Sequence, residues 1–176
     1  FSFLMMSMMF IMLPRAAVSA GRVADVLDVH SSIRDAEPGR AFPEPFAPTV
    51  EFRNVSFRYP KAEEDVLHDV SFTARPGETT AIIGATGAGK STIVNLIPRF
   101  YDVTRGAILV GGVDVREVGQ HELRAKIGYV PQKATLFSGT VASNRRYADE
   151  QAADEVLNTS VDIAQASGFV ASLPEG

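Results

Sequence analysis

Nine consecutive residues, Gly84-Ala85-Thr86-Gly87-Ala88-Gly89-Lys90-Ser91-Thr92, carry the spacing G-x-x-x-x-G-K-[ST] with every fixed position filled. The chemistry such a run performs is phosphate binding. Gly84, Gly87 and Gly89 let the backbone curl without Cβ clashes. The curl turns successive N–H groups inward into a concave anion site, and a following helix adds the positive end of its dipole. Lys90 is then placed to reach terminal phosphates, and the Ser91 hydroxyl to ligate Mg²⁺.

Such a loop must leave a buried strand and open a helix. Upstream, Thr79-Thr80-Ala81-Ile82-Ile83 is short, apolar and β-branched, entered from Pro76-Gly77, and predicts the strand. Downstream, Ile93, Leu96, Ile97 and Phe100 recur at helical spacing. The competing reading is a glycine-rich turn that binds nothing. It does not account for Lys and Ser following the last glycine in the required order.

The remaining composition narrows the classes. The chain has 176 residues, enough for one domain with a real core. A net charge of −4 offers no basic face for nucleic acid, so phosphate recognition would be local. Without cysteines there are no disulfides or thiolate metal sites. His30, His68 and His121 are scattered with no metal-ligand spacing. The sequence opens on Phe1 within an apolar run and stops at Pro174-Glu175-Gly176, read as a loop, so both ends read as cuts in a longer protein.

Residues 1–13 are almost wholly apolar and methionine-rich. Alone they fall short of the roughly 20 apolar residues that span a bilayer. A signal-peptide core, a buried soluble helix and the last part of a transmembrane helix compete. Arg15 suits the cytoplasmic edge of the third, and Pro14 is a tolerated kink at its exit. Ala16, Ala20, Val23 and Leu27 continue one helical stripe. Residues 35–49 hold Pro38, Gly39, Pro43, Pro45 and Pro48, a semi-extended linker with room for mobility. Val50, Phe52, Val55, Phe57 and Tyr59 alternate with a phase slip near Asn54, which predicts a bulge. A second strand spans 66–74, a hairpin is centred on Gly111-Gly112, and 127–130 reads as a buried strand. Helices are expected over 141–147 and from 149 to about 166.

Four features fall in order: Phe57-Arg58-Tyr59-Pro60, the loop 84–92, Tyr129-Val130-Pro131-Gln132, and Leu136-Phe137-Ser138-Gly139-Thr140-Val141-Ala142-Ser143-Asn144. Together they resemble the nucleotide-binding domain of ATP-binding cassette (ABC) transporters, closest to exporters of the multidrug and lipid type that fuse a membrane domain ahead of the cassette. The resemblance covers nearly the whole chain. It implies an α/β, P-loop NTPase fold and an ATPase that drives efflux across the cell membrane. Its expected organisation is 1–34 as the end of the last transmembrane helix with its cytoplasmic extension, 35–49 as linker, and 50–176 as a partial cassette.

The resemblance also implies roles. Tyr59 would stack on adenine, against the plainer reading of a strand-end core aromatic. Gly84, Ala85, Thr86, Gly87, Ala88, Gly89, Lys90, Ser91 and Thr92 would hold ATP. Ser91 and Gln132 would reach Mg²⁺, Lys90 and Gln132 would serve catalysis, and 133–144 would face the membrane domain's coupling helices. A second cassette would complete the site. Position 88 is Ala where the family often has Ser, and Arg145 stands where it usually has an apolar residue. The family's signature motif, acidic pair and switch histidine are expected later in the chain, so this stretch is expected to bind ATP without hydrolysing it. A soluble phosphate-loop NTPase or kinase, and a non-catalytic cassette of a heterodimeric transporter, are the alternatives.

Overall fold

The computed structural model describes residues 1–133 and 135–173. The loop expected at 174–176, and Ala134 within the segment expected to face coupling helices, lie outside them. The chain divides into two compact units, Phe1–Gly128 and Tyr129–Gly176.

The first unit opens with helix α1, Ser2–Leu27. It runs through Pro14, and none of its residues is buried. Proline costs the helix one backbone donor and leaves the rest of the ladder intact. α1 is long and apolar enough to cross a membrane.

Four strands follow: β1 (Val50–Phe57), β2 (Leu67–Ala74), β3 (Arg105–Val110) and β4 (Val113–Asp114). They form an antiparallel sheet in the order β2-β1-β3-β4. The expected bulge lies on β1, where both ladders slip between Phe52 and Ser56 and Asn54 adopts a φ of 48°. Gly106 makes that bulge possible. At φ 82°, a Cβ there would lie 2.4 Å from the carbonyl oxygens of Arg53 and Asn54. Across the β1–β2 pair Phe52 faces Phe72, with ring centroids 4.6 Å apart. Helix α2 (Lys90–Leu96) lays Ile93 and Leu96 into the core formed by Phe52, Val55, Phe57 and Ile108. Helix α3 (Gln120–Ala125) adds Leu123.

Two expected strands are absent. Residues 79–83 and 127–130 form no ladder, and Ile83 and Val130 are each 91% exposed. An apolar, β-branched run becomes a strand only when a neighbour takes its N–H and C=O groups. Among the described residues, no strand forms a ladder with either run.

The proline-rich segment is held down. Asp35 Oδ1 accepts from the backbone N–H and side-chain amide of Gln120, both at 3.0 Å. Arg40 donates its N–H to the Glu117 carbonyl at 2.7 Å and pairs with the Glu117 carboxylate. Phe42, 7% exposed, belongs to the core, and Phe46 meets its ring edge-on.

The second unit is helical: α4 (Val141–Arg145), α5 (Asp154–Ile163) and α6 (Ser167–Ala171). The single helix expected from 149 to about 166 is shorter and is followed by another. Gln165, in the left-handed region at φ 55°, ends α5, and the Ala166 N–H returns to the Val161 carbonyl. This is the helix-terminating turn usually signalled by glycine.

Candidate functional site

Residues 87–92 line a cleft of about 340 Å³ with Tyr59 and Val66. Gly87 and Gly89 both hold φ near 85°, the left-handed conformation that turns the loop into α2. Gly89 has a second constraint. A Cβ there would approach Leu67 Cδ2 to 2.7 Å, so glycine lets the loop close onto β2. The Ala88 N–H donates to the Ala85 carbonyl at 3.2 Å, which closes the turn. α2 then takes over with the Ile93 N–H to Gly89 carbonyl bond at 3.0 Å.

The Lys90 ammonium folds back over this loop. Nζ donates to the carbonyls of Gly84 at 2.9 Å and Ala85 at 2.7 Å. It is therefore held beside the backbone N–H groups by weak, exchangeable acceptors. An anion with two charged oxygens offers stronger, charge-assisted bonds. The lining of the cleft is one cation, backbone, small side chains and one aromatic, with no carboxylate. That donor set fits phosphate. Ser91 is exposed at the start of α2.

Tyr59 reaches the cleft from the segment after β1. Its hydroxyl shares a 2.9 Å hydrogen bond with Thr92 Oγ1, and Thr92 is 5% exposed. Its ring meets Phe57 and Tyr101 edge-on, at 4.8 and 5.2 Å between centroids. Tyr59 thus packs against the core and lines the cleft at once. Sequence reasoning overlooked Tyr101 and the Thr92 link; the aromatic pair Phe100-Tyr101 after α2 was the available signal.

Gln132 is exposed and belongs to the second unit. In that unit the segment after Leu136 is closed by its own side chains. Asn144 accepts from the Phe137 N–H at 2.7 Å and donates to the carbonyls of Phe137 and Thr140 at 2.9 and 3.0 Å. Thr140 caps α4 by accepting from the Ser143 N–H at 3.0 Å. Phe137 stacks on Tyr147 at 4.6 Å. The order of Phe, Thr, Ser and Asn in this run is a loop-closing network.

A family model described as ABC transporter matches residues 67–172. The chain belongs to the ABC transporter family. An uncharacterized ABC transporter ATP-binding protein of Mycobacterium tuberculosis is 45% identical over 170 residues, 95% of this chain and 29% of that protein. A probable multidrug resistance ABC transporter ATP-binding/permease protein of Bacillus subtilis is 41% identical over 167 residues, covering 95% and 24%. A solved bacterial Atm1-family ABC exporter with ATP bound superposes with a TM-score of 0.87 at 34% identity, over 98% of this chain and 30% of that one. This ABC chain therefore spans under a third of the length of these relatives. Its fold is that of the P-loop nucleotide-binding domain preceded by a helix, a family assignment that sets aside a soluble kinase.

Proposed function

We propose that these residues form the ATP-binding part of an exporter that couples ATP binding and hydrolysis to efflux across the cell membrane. One observation carries the reading: Lys90, the glycine loop and Tyr59 share one cleft whose lining is cationic and backbone in character. When bound, Mg-ATP supplies the terminal phosphoryl group and a cation that spreads its charge. Lys90 then exchanges the Gly84 and Ala85 carbonyls for phosphate oxygens, and loop N–H groups hold the remainder. Ser91, exposed at the start of α2, would be one Mg²⁺ ligand on this chain. The Tyr59 ring, fixed by Thr92 and Tyr101, offers a face for adenine.

Family membership supports the wider roles. Gln132 serves Mg²⁺ and the attacking water, and residues 133–144 meet coupling helices of the membrane domain. A second cassette completes the site. Residues 1–34 are read as the end of the last transmembrane helix with its cytoplasmic extension, 35–49 as the linker, and 50–176 as a partial cassette facing the cytoplasm. The relatives' names, which join ATP-binding to permease and to multidrug export, support export as the direction. The described residues that line the cleft include no carboxylate to act as a general base, which supports binding without turnover by this stretch.

The test is titration of the detergent-solubilised chain with a fluorescent ATP analogue and Mg²⁺. Saturable binding is expected. Lys90→Ala should weaken it about 10- to 100-fold, the value of a charge-assisted hydrogen bond. Equal affinity in the variant would refute the nucleotide site, and Lys90-dependent hydrolysis by the parent chain would refute binding without turnover.

A further inference from the structure

Arg99 is 4% exposed, the one arginine among the buried residues described, and no role assigned above uses it. It stands where α2 ends. At φ 55° it is the left-handed residue of the terminating turn, and the Phe100 N–H returns to the Asn95 carbonyl at 3.2 Å. Glycine is the usual occupant of that position, because a Cβ is strained there. An arginine in its place points to a need for the side chain.

The guanidinium draws three segments together. Nε and Nη2 grip the Asp102 carboxylate at 2.7 and 3.2 Å. Nη2 also donates to the Arg34 carbonyl, at the start of the proline-rich segment, at 3.0 Å. Nη1 reaches the Arg116 carbonyl at 3.5 Å. A second route runs parallel. Gln120, which holds Asp35, accepts from Arg124 Nη2 at 3.1 Å. Arg124 in turn donates to the carbonyls of Pro98 at 3.0 Å and Arg99 at 3.2 Å. Both routes end on the C-terminal turn of α2. The other end of α2 is Lys90, about 10 Å away along a helix of 7 residues.

We propose that Arg99 is a positioning residue that couples docking of residues 34–47 to nucleotide binding at the phosphate loop. The inference rests on the nucleotide reading of that loop. α2 is a short rigid element with the ligand at one end and the linker at the other. Fixing Lys90 and Ser91 on phosphate fixes the register of the Arg99 turn. A fixed turn presents Nη2 to the Arg34 carbonyl and the Pro98 and Arg99 carbonyls to Arg124. Docking of the linker in turn restrains α2 in the position the ligand needs. The coupling is reciprocal, because each event must favour the other by the same factor. Since residues 28–33 join the end of α1 to residue 34, a displacement of that helix passed along this short segment would be felt at the phosphate loop by a route that does not pass through Gln132.

Spatial continuity alone does not establish coupling, so the test measures it. Amide exchange at Arg40 and Phe42, whose N–H groups bond Glu117 and Glu122, reports linker docking. In the detergent-solubilised chain, saturating Mg-ATP should slow exchange at these two amides about fivefold, at the lower end of measured coupling factors. The double variant Asp35→Ala, Arg40→Ala, remote from the loop, should raise the Kd for ATP by the same factor. Arg99→Gly suits the left-handed backbone and preserves the end of α2. It should abolish the effect of ATP on the linker and raise the Kd about fivefold, and Arg99→Lys should restore little of either. Unchanged linker exchange in a parent chain that does bind ATP would overturn this inference and leave the nucleotide reading intact. So would the parent Kd in Arg99→Gly. Failure of the parent chain to bind ATP would overturn both.

Discussion

At the scale of single residues, the side chains that break a local rule are the informative ones. Arg145 departs from the family's apolar pattern, and its environment shows the consequence. Nη2 donates to Ser160 Oγ at 3.2 Å, yet the buried Nε has no hydrogen-bond partner among the described residues. The head lies beside the apolar side chains of Phe137, Val141, Val161 and Phe169 around a cavity of about 420 Å³. A buried donor left unmade costs about 1–3 kcal/mol, so Arg145→Leu should stabilise the second unit by about 1 kcal/mol. Urea unfolding followed by the fluorescence of a Tyr147→Trp reporter placed in both chains measures it, and a loss of stability would show that the Ser160 bond outweighs the unmade donor. Gly106 breaks no rule visible in the sequence. Its need comes from the carbonyls of a neighbouring strand, and Gly106→Ala should destabilise the sheet by about 2 kcal/mol or more from left-handed strain and overlap. Unchanged urea resistance in that variant would mean the bulge relaxes. Lys90 and the glycines of the loop were legible because their chemistry is written in consecutive residues. Tyr101 and Gly106 were not, because their partners are distant in sequence, and Arg99 was not, because beside the nearby Asp102 its partners Arg34 and Arg116 are distant too.

At the scale of elements, patterns with local partners were legible and patterns needing distant ones were not. The phase slip at Asn54 located the β1 bulge, and Gly111-Gly112 located the β3–β4 hairpin. Residues 79–83 and 127–130 have strand composition but join no described sheet ladder, so composition overstated them. The proline-rich segment was read as a stiff tether with room to move. Its proline count hid the anchors Asp35, Arg40 and Phe42, which act through residues 117–122. One anchor carries a pH signature. Hydrogen bonds from the Gln120 side chain and backbone, helped by the charges of Arg99 and Arg124, hold the Asp35 carboxyl below its ordinary value of 3.8. A depressed carboxylate favours the docked state fully above that ordinary value, and the contribution disappears as pH falls through the lowered one. Exchange at Arg40 and Phe42, corrected for its intrinsic pH dependence, should therefore accelerate below about pH 4. Asp35→Asn should flatten the profile; identical profiles in parent and variant would assign the acid step to another group.

At the scale of the whole molecule, α1 decides where the chain resides. It is 26 residues long, which at 1.5 Å per residue gives about 39 Å, against a hydrocarbon core of about 30 Å. Arg15 lies about 20 Å along it, so only the apolar stretch ahead of Arg15 suits hydrocarbon, with Arg15 and Arg22 toward one interface and beyond. The methionines and phenylalanines of its first half are exposed all round, as a surface meeting lipid or other membrane helices requires. The expressed chain should therefore remain with membranes after alkaline carbonate washing. Met8→Arg with Phe10→Arg places two charges near the middle of the apolar stretch. Each costs about 3 kcal/mol at the centre of a spanning helix, so the pair should shift the chain into the soluble fraction by several powers of ten in partition. The nucleotide site, built from residues 59–92, is covalently remote from these substitutions, so ATP affinity of the released chain separates anchoring from binding. If the parent chain washes off membranes, α1 is not a spanning element and the coupling proposed through residue 34 loses its mechanical input. If the double variant stays bound while the parent does too, an interfacial helix holding the chain by one face is the better account.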